Sequence, residues 1–332
     1  MNFFLSNILK IIYMLSRPGL DEINEAAANL KDVLIHTPLI RIHSYDLSSD
    51  IYMKLENLQP IGSFKLRGVF NAVASLSPEE LKKGLRTNSS GNTAQALGWT
   101  ARYFKVPAYC VMPVDASPFK IQAARSYGVV LDLFSKEEFN RYIIEKGWEK
   151  EPYAFIDPWA NVDLMSGHGT IGLEILSDLP SVDSVFVPVG GGGLICGVGS
   201  ALKALKPSMK VYGVVPLTYP ALYESFKAGR PVEVPNLETI CDGVASALIT
   251  DEMYPLLREV IDEVVLVSES SVKKTIKRLA LRNKVIAEGA GALSVAAALE
   301  TRPEERGKSV CVVSGGNIDY SKLIGILSDP TL

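Results

Sequence analysis

The chain has 332 residues, of which 34 are basic and 37 acidic, so its formal net charge is −3. This balance argues against nucleic acid or an anionic membrane as a partner, because both are bound through clustered positive charge. With 47% hydrophobic and 21% charged residues, the composition is that of a globular protein, and the length predicts about two domains.

The four cysteines, Cys110, Cys196, Cys241 and Cys311, lie far apart in the sequence and form no CxxC pair. This spacing argues against a zinc ribbon and against a disulfide framework. Because each cysteine sits in an apolar run, we expect buried free thiols in a cytoplasmic protein.

The chain begins with an apolar stretch, residues 3–15, that polar residues interrupt. It is shorter than the roughly 20 residues that a membrane-spanning helix needs. Arg17-Pro18-Gly19 also makes a poor signal-peptide cleavage site. We assign residues 1–19 to an N-terminal extension and expect no membrane partner.

From Leu20 onward, short apolar runs alternate with amphipathic segments, which indicates parallel sheets covered by helices and an α/β fold class. Ser77-Pro78-Glu79-Glu80 predicts a helix start that Ser77 caps. The predicted strands are Ala108–Met112, Val129–Leu133, Tyr153–Ile156, Ser184–Val189, Val211–Val215, Glu263–Val267 and Ser309–Ser314. The predicted helices include Ser117–Tyr127, Leu194–Leu205, Ser270–Leu281 and Ala290–Leu299.

The first candidate functional segment, residues 56–68, is polar, contains glycine and precedes a predicted helix. Its Lys65 is flanked by Phe64 and Leu66, which would reduce its contact with water and make it lose its proton more readily. Such a lysine can form a Schiff base. From this segment alone, a solvated lysine at a helix start remains the simpler explanation.

The second segment, Thr87–Gln95, is a turn rich in hydroxyls and amides that enters a helix. Its free backbone donors and hydroxyls suit a carboxylate, because the start of a helix attracts anions. An ordinary helix cap would explain one or two of these residues, so both interpretations stay open.

The third segment runs from a strand through Gly190, Gly191, Gly192 and Gly193 into a helix. Successive backbone N–H groups without side chains can close around a phosphate. No Lys-Ser/Thr pair follows, which excludes a Walker loop. The next strand ends in Val214-Val215-Pro216 and lacks the acidic residue of a dinucleotide fold, so a simpler phosphate ester is favoured over a nucleotide or a plain flexible turn.

Four motifs, taken in order, resemble the serine/threonine dehydratase and serine racemase family, the fold-type II group of pyridoxal-phosphate enzymes. The resemblance covers roughly residue 20 to the end. The motifs are Ser63-Phe64-Lys65-Leu66-Arg67-Gly68, Ser89-Ser90-Gly91-Asn92, Gly190–Gly193 and Ser314-Gly315-Gly316-Asn317.

The resemblance implies a two-domain fold like that of the tryptophan synthase β subunit. Each domain would be an open, largely parallel sheet with helices on both faces. A large cofactor-binding domain would comprise residues 20–55 and 148–332, and a small domain with the substrate-carboxylate loop would comprise residues 56–147. A cytoplasmic homodimer that takes a small-molecule amino acid is also implied.

The resemblance further implies a role for each motif residue. Lys65 would bind pyridoxal 5'-phosphate and, once released by substrate, take the Cα proton. Phe64 would lie against the ring of the cofactor, Asn92 would bind its hydroxyl and Ser314 would meet its nitrogen. The phosphate and the rest of the cofactor would be bound by Gly190, Gly191, Gly192, Gly193, Leu194 and Gly243. The substrate would be bound by Ser89, Ser90, Gly91, Asn92 and Thr93.

Several positions depart from the family pattern. Thr93 replaces a histidine, which changes the carboxylate pocket, and Ser90 stands where racemases carry a serine that can return a proton from the second face. Trp159, in contrast, is more typical of a dehydratase. Val215 and Ala221 stand near the places where cation-activated relatives carry acidic residues, so we expect no metal.

Two further residues have open roles. His168 replaces a common glutamine and would be either a catalytic group, because histidine titrates near neutrality, or a space-filling residue between glycines. Glu288 would either support the site or cap a helix.

The leading hypothesis is an ammonia-lyase of L-threonine, L-serine or a similar β-hydroxy amino acid. One alternative is an amino-acid racemase that uses Lys65 and Ser90. A second alternative is a non-catalytic protein that binds the cofactor.

Overall fold

The computed structural model describes residues 15–43, 50–89 and 91–332, which form two separate β-sheets with helices between the strands. Most of the apolar N-terminal extension, residues 1–14, lies outside the described residues, and so does Ser90. Leu15, the first described residue, packs against the core of the larger sheet.

The larger sheet has six strands in the order β1-β2-β10-β7-β8-β9, and all neighbours are parallel except the antiparallel pair β1 and β2. Its strands are β1 Leu39–Arg41, β2 Ile51–Lys54, β7 Ser184–Pro188, β8 Lys210–Pro216, β9 Glu263–Val267 and β10 Ser309–Val312.

The smaller sheet has four parallel strands in the order β5-β4-β3-β6. Its strands are β3 Leu85–Asn88, β4 Ala108–Pro113, β5 Val130–Phe134 and β6 Ala154–Phe155. Together the two largely parallel sheets confirm the predicted α/β fold class.

Fourteen α-helices accompany the strands within the described residues. They are α1 Leu20–Leu30, α2 Lys65–Ala74, α3 Pro78–Lys82, α4 Asn92–Phe104, α5 Pro118–Ser126, α6 Lys136–Ile144, α7 Val162–Asp178, α8 Gly193–Leu205, α9 Ala221–Ala228, α10 Met253–Val260, α11 Glu269–Arg278, α12 Gly289–Glu300, α13 Pro303–Arg306 and α14 Tyr320–Ser328. None of the helices in the described part of the chain is long and apolar enough to cross a bilayer.

The seven predicted strands are present, with ends that differ by one or two residues. The helix start at Ser77 is also confirmed, because Ser77 N donates to Glu80 Oε2 at 2.9 Å and Glu80 N donates to Ser77 Oγ at 3.3 Å. All four cysteines are buried free thiols, as expected.

Strand β3 corrects the prediction that Thr87–Gln95 is entirely a turn, because Thr87 and Asn88 belong to this strand. The strand has a polar sequence, yet all four of its side chains are buried. The Arg86 guanidinium pairs with Asp132 and Glu151, and Thr87 Oγ1 donates to Ile156 O at 2.8 Å. Partners from other elements therefore compensate the burial of its polar groups.

A buried group of charges connects helix α2 to the larger sheet. Arg67 Nε donates to Glu56 Oε2 at 2.8 Å, and its Nη1 donates to Glu174 Oε1 on α7 at 2.7 Å. Lys54, at the end of β2, lies 2.6 Å from Glu174 Oε2. Glu56, Lys54 and Arg67 are at most 2% exposed, so each charge depends on its partners. This network, which we call the Arg67 cluster, fixes the helix that begins at Lys65.

The Glu56→Ala variant is expected to lose about 3–5 kcal/mol of unfolding free energy, because Arg67 would stay buried without its main partner. Burial raises the pKa of Glu56, but the charge of Arg67 and hydrogen bonds from Arg67 and Thr37 outweigh it, so the pKa is lowered. The contribution of the Glu56 carboxylate to the free energy of unfolding is therefore present above the ordinary pKa of glutamate. It is lost as the pH falls through the lower pKa that Glu56 has in the folded protein.

Urea unfolding at neutral pH and on acidification would measure both effects. Arg302→Ala, which removes an exposed pair with Glu305, serves as the control and should leave the unfolding midpoint unchanged. Equal midpoints for Glu56→Ala and the wild type would contradict the stabilising role of the Arg67 cluster.

Candidate active site

The candidate site forms where loops leave the carboxyl ends of parallel strands, which is where open α/β sheets place their ligands. The loop before Lys65 pairs directly with the loop after β10. Phe64 N donates to Ser314 O at 2.9 Å, Gly316 N donates to Gly62 O at 2.9 Å, and Ser63 bridges to Gly315. Two motifs from opposite ends of the chain thus share one backbone framework.

Lys65 is the first residue of α2 and its side chain is partly buried. Its Nζ donates to Pro158 O at 3.2 Å and lies 5.2 Å from the centroid of the Phe64 ring. Burial lowers the pKa of Lys65 to about 8, although the charge of Asp157 opposes this shift. The prediction of a partly dehydrated lysine agrees with this geometry, and such an amine is a competent nucleophile and base.

The ring of Phe64 packs against the ring of His168, with centroids 4.8 Å apart. His168 is fully buried, and burial together with the charges of Lys65 and Arg67 holds its pKa well below the ordinary value. Neither ring nitrogen has a hydrogen-bond partner among the residues that the structure describes. The ring fills the space above Gly68, where a Cβ would collide with it. The space-filling interpretation of His168 is therefore favoured over a catalytic one.

Asn92 begins helix α4 and takes part in a chain of hydrogen bonds that crosses the site. Its Nδ2 donates to Glu288 Oε1 at 2.7 Å, and its Oδ1 accepts from Asn317 Nδ2 at 2.8 Å. Asn317 Nδ2 also donates to Ile61 O at 2.8 Å. These contacts fix the orientation of the Asn92 amide and leave one of its N–H bonds for a ligand.

Glu288 supports the site from the start of helix α12, where its carboxyl is 4% exposed. Burial raises the pKa of Glu288 to about 7; Asp242 adds to this shift, whereas Lys120 and the bond from Asn92 oppose it. Of the two roles considered for Glu288, the contact with Asn92 favours support of the site.

The four-glycine loop lies between β7 and α8. Gly192 has φ +100°, a conformation that L side chains rarely adopt. A Cβ on Gly191 would lie 2.9 Å from Trp159 Cγ, and one on Gly190 would lie 3.1 Å from Val244 Cα. Side chains are thus excluded, and the loop presents backbone N–H groups at the N-terminus of a 13-residue helix. This cradle fits a phosphate group.

Two other predicted cofactor contacts border this cradle. Leu194, in the first turn of α8, is buried, and Gly243 approaches Gly190, whose Cβ would lie 3.6 Å from Gly243 O. Ser314 is also buried, in the loop that pairs with Phe64.

The predicted carboxylate loop follows strand β3. Ser89 Oγ accepts from Gly91 N at 3.0 Å, and Thr93 is buried in the first turn of α4. The side chain of Lys120 lies over Gly91, whose Cβ would be 3.2 Å from Lys120 Cδ. The position of Ser90 in this loop lies outside the described residues.

Sequence reasoning missed two contacts at the site. Lys120 Nζ pairs with Asp242 Oδ2 at 2.7 Å, which joins α5 beside the smaller sheet to a loop of the larger sheet. Asp157 and Pro158 lie beside Lys65. The only available signal was an Asp-Pro pair directly after a predicted strand, which is equally typical of an ordinary turn.

The residues present fit pyridoxal phosphate, the group that the resemblance implies. The glycine cradle suits its phosphate, the Lys65 amine suits its aldehyde, and the free N–H of Asn92 suits its ring hydroxyl. Within the described ranges there is no cluster of three or more histidine, cysteine or acidic side chains placed to hold a metal ion. The absence of a metal remains a prediction.

Comparisons with known proteins point in the same direction. The family profile described as "Pyridoxal-phosphate dependent enzyme" matches residues 30–316. The L-threonine ammonia-lyase of Thermotoga maritima is 40% identical over 315 residues, which are 93% of this chain and 78% of that protein. Maize serine racemase superposes with a TM-score of 0.85 at 31% identity, covering 93% of this chain and 96% of that one. The processed form of threonine deaminase isoform 2 from Solanum lycopersicum superposes with a TM-score of 0.82 at 33% identity, covering 94% and 90%.

The Gly192→Ala variant is expected to bind pyridoxal phosphate roughly tenfold more weakly or worse, because strain of about 1–3 kcal/mol would distort the cradle. The new Cβ would also lie 2.9 Å from Leu257 Cδ1. Titration of the apoprotein with the cofactor would measure the affinity. Gly229→Ala is a matched control, because Gly229 also has a positive φ but lies in open space at the end of α9. An unchanged affinity in Gly192→Ala would argue against the cradle.

Proposed function

This chain belongs to the family of pyridoxal-phosphate-dependent enzymes, and on that basis we propose that it is a lyase that converts L-threonine or L-serine into a 2-oxo acid and ammonia. The match to the family profile confirms the predicted family and its cofactor. L-Threonine follows from the relative named L-threonine ammonia-lyase and from the solved threonine deaminase, and L-serine from the family resemblance.

The observation that carries the proposal is the position of Lys65. Its amine, with a pKa of about 8, stands at a helix start and donates to Pro158 O, next to Trp159, whose ring packs on Gly191 of the glycine cradle. A phosphate anchor, a reactive amine and a carboxylate-binding helix start are the three elements that the reaction requires.

When bound, pyridoxal phosphate supplies an electron sink for negative charge at the substrate Cα. We assign its phosphate to Gly190–Gly193 and Leu194, its ring to Phe64, Asn92, Gly243 and Ser314, and its aldehyde to Lys65. Ser314 would offer a neutral hydroxyl to the ring nitrogen, which does not enforce the positive charge that an aspartate would. We infer that this arrangement favours prompt loss of a β-hydroxyl group.

The substrate carboxylate would be held by Ser89, Gly91, Asn92 and Thr93 at the N-terminus of α4, with Ser90 in the same loop. The dipole and free N–H groups of the helix favour an anion there. Lys65, once free, would take the Cα proton, and the β-hydroxyl group would leave Cβ as water with that proton, which returns the amine to its neutral form. The released enamine would add water and lose ammonia, which gives the 2-oxo acid.

Incubation of the holoenzyme with L-threonine and with L-serine is expected to produce 2-oxo acid and ammonia in equal amounts. Lys65→Ala should lower the rate by several orders of magnitude and abolish covalent attachment of the cofactor, because the amine both anchors it and transfers the proton. Lys83→Ala, at an exposed lysine after α3, is the control. Bound cofactor without turnover of either amino acid would instead support the non-catalytic alternative.

A second candidate function, amino-acid racemisation, is favoured by the solved maize serine racemase that superposes on this chain. It would require Ser90 to return a proton to the face opposite Lys65. If it operates, chiral chromatography should detect D-serine from L-serine, and Ser90→Ala should remove the D-enantiomer while 2-oxo acid formation persists. No D-enantiomer from the unmodified enzyme would exclude this activity.

We also propose the domain division, a large domain of residues 20–55 and 148–332 and a small domain of 56–147. Strand β6 belongs to the smaller sheet, which supports a return to the large domain slightly later, after Phe155. A cytoplasmic homodimer is proposed from the family resemblance alone.

A further inference from the structure

A tight turn beside Lys65, residues 157–160, lies outside the four sequence motifs. Asp157 Oδ1 accepts hydrogen bonds from Trp159 N at 2.9 Å and from Ala160 N at 2.8 Å. The next residue, Asn161, caps helix α7 through Leu164 N at 2.8 Å. One carboxylate therefore shapes this segment, which we call the Asp157 turn.

The Asp157 turn touches both functional parts of the site. Pro158 O accepts from Lys65 Nζ at 3.2 Å. The ring of Trp159 packs on Gly191, and a Cβ on Gly193 would lie 2.9 Å from Trp159 O. The turn therefore fixes the distance between the lysine amine and the glycine cradle, so its shape affects both groups together.

Charge adds a second connection between Asp157 and Lys65. Burial raises the pKa of Asp157, and the charges of Lys65 and Lys146 oppose that shift; burial lowers the pKa of Lys65, and Asp157 opposes it. His168 also interacts with Lys65, and it is held neutral by burial and by the charges of Lys65 and Arg67. Arg67 stays charged, and the carboxylates of Glu56 and Glu174 compensate its charge. Among the residues that the structure describes, Asp157 is thus the carboxylate whose charge acts on Lys65.

We propose that Asp157 is a positioning residue for Lys65, which holds the amine through the Asp157 turn and sets the pH at which the amine becomes reactive. The inference rests on the proposed function of Lys65 as the anchor of the cofactor. It assigns the two effects to different properties of one side chain: the hydrogen-bonded oxygen shapes the turn, and the charge sets the proton affinity.

Two substitutions separate these properties. Asp157→Asn keeps an oxygen that can accept from Trp159 N and Ala160 N but removes the negative charge. Asp157→Ala removes both. Because a negative charge stabilises the protonated amine, its loss should lower the pKa of Lys65, so more of the amine is neutral at neutral pH.

The test measures the rate at which the apoprotein takes up pyridoxal phosphate, across a pH series that brackets 8. The visible absorbance of the bound cofactor reports the uptake. The rate should rise with the neutral fraction of Lys65. In Asp157→Asn the midpoint is expected to fall by roughly one pH unit, with the affinity close to that of the wild type. Asp157→Ala should show a similar shift and a weaker affinity.

Asp163→Asn is the control, because this exposed carboxyl on α7 interacts with Ser75 and not with Lys65. Its midpoint should equal that of the wild type. A midpoint that is unchanged or higher in Asp157→Asn would overturn the inference, and Asp157→Asn alone decides the question if Asp157→Ala fails to fold.

Failure of the proposed function gives a different result. If Lys65→Ala still forms a borohydride-reducible adduct with pyridoxal phosphate, Lys65 is not the anchor, and both proposals fail. If Lys65→Ala loses the adduct while Asp157→Asn shows no shift, the role of Lys65 stands and the role of Asp157 is wrong.

Discussion

The guanidinium of Arg67, buried between the carboxylates of Glu56 and Glu174, fixes the helix on which the candidate site is built. Lys65 lies on the same helix only two residues before it, so the position of the reactive amine depends on this ion pair. Lys54 extends the network to the end of β2, and Thr37 Oγ1 donates to Glu56 at 2.6 Å. The site is thus anchored to the larger sheet by charges that are costly to bury and costly to separate.

The pKa values of the two cations at the start of α2, Lys65 and Arg67, shift in opposite directions. Burial would lower the pKa of Arg67, but two carboxylates raise it, so the guanidinium remains charged. Within the described part of the chain, Lys65 has only the Pro158 carbonyl as a hydrogen-bond acceptor and the more distant Asp157 carboxylate as a counter-charge. Burial therefore lowers its pKa. The difference lies in the number of compensating partners, and it separates a structural cation from one that can exchange a proton. Neighbouring residues on one helix therefore serve stability and chemistry respectively.

The sequence was informative where a pattern is local. Apolar runs placed seven strands, and Ser77 with Glu80 marked a helix start because both partners lie within one turn. Strand β3 was missed because Arg86 and Thr87 find partners on β5 and beyond β6, and such compensation leaves no periodic signal. Strand β2 was missed for the same reason, because its buried Lys54 pairs with the distant Glu174.

In the candidate site, too, local patterns were predictable from the sequence and contacts between distant residues were not. Glycines and the lysine motif are visible in the sequence, since they are contiguous. The role of Asp157 is not visible there, and that of Glu288 stays open between two alternatives, because Pro158 lies 93 positions from Lys65 and Glu288 lies 196 positions from Asn92. Only the folded chain brings these carboxyl groups to the residues that they affect.

The contact between Glu288 and the loop after β10 constrains how this sequence can change. Glu288 Oε1 occupies the place where a side chain at Gly315 would begin, so a Cβ at that position would push the carboxyl aside. The displaced carboxyl would lose its contact with Asn92, the amide that the site orients toward its ligand. Glycine at position 315 is therefore tied to the acid at position 288 through the amide that both of them serve.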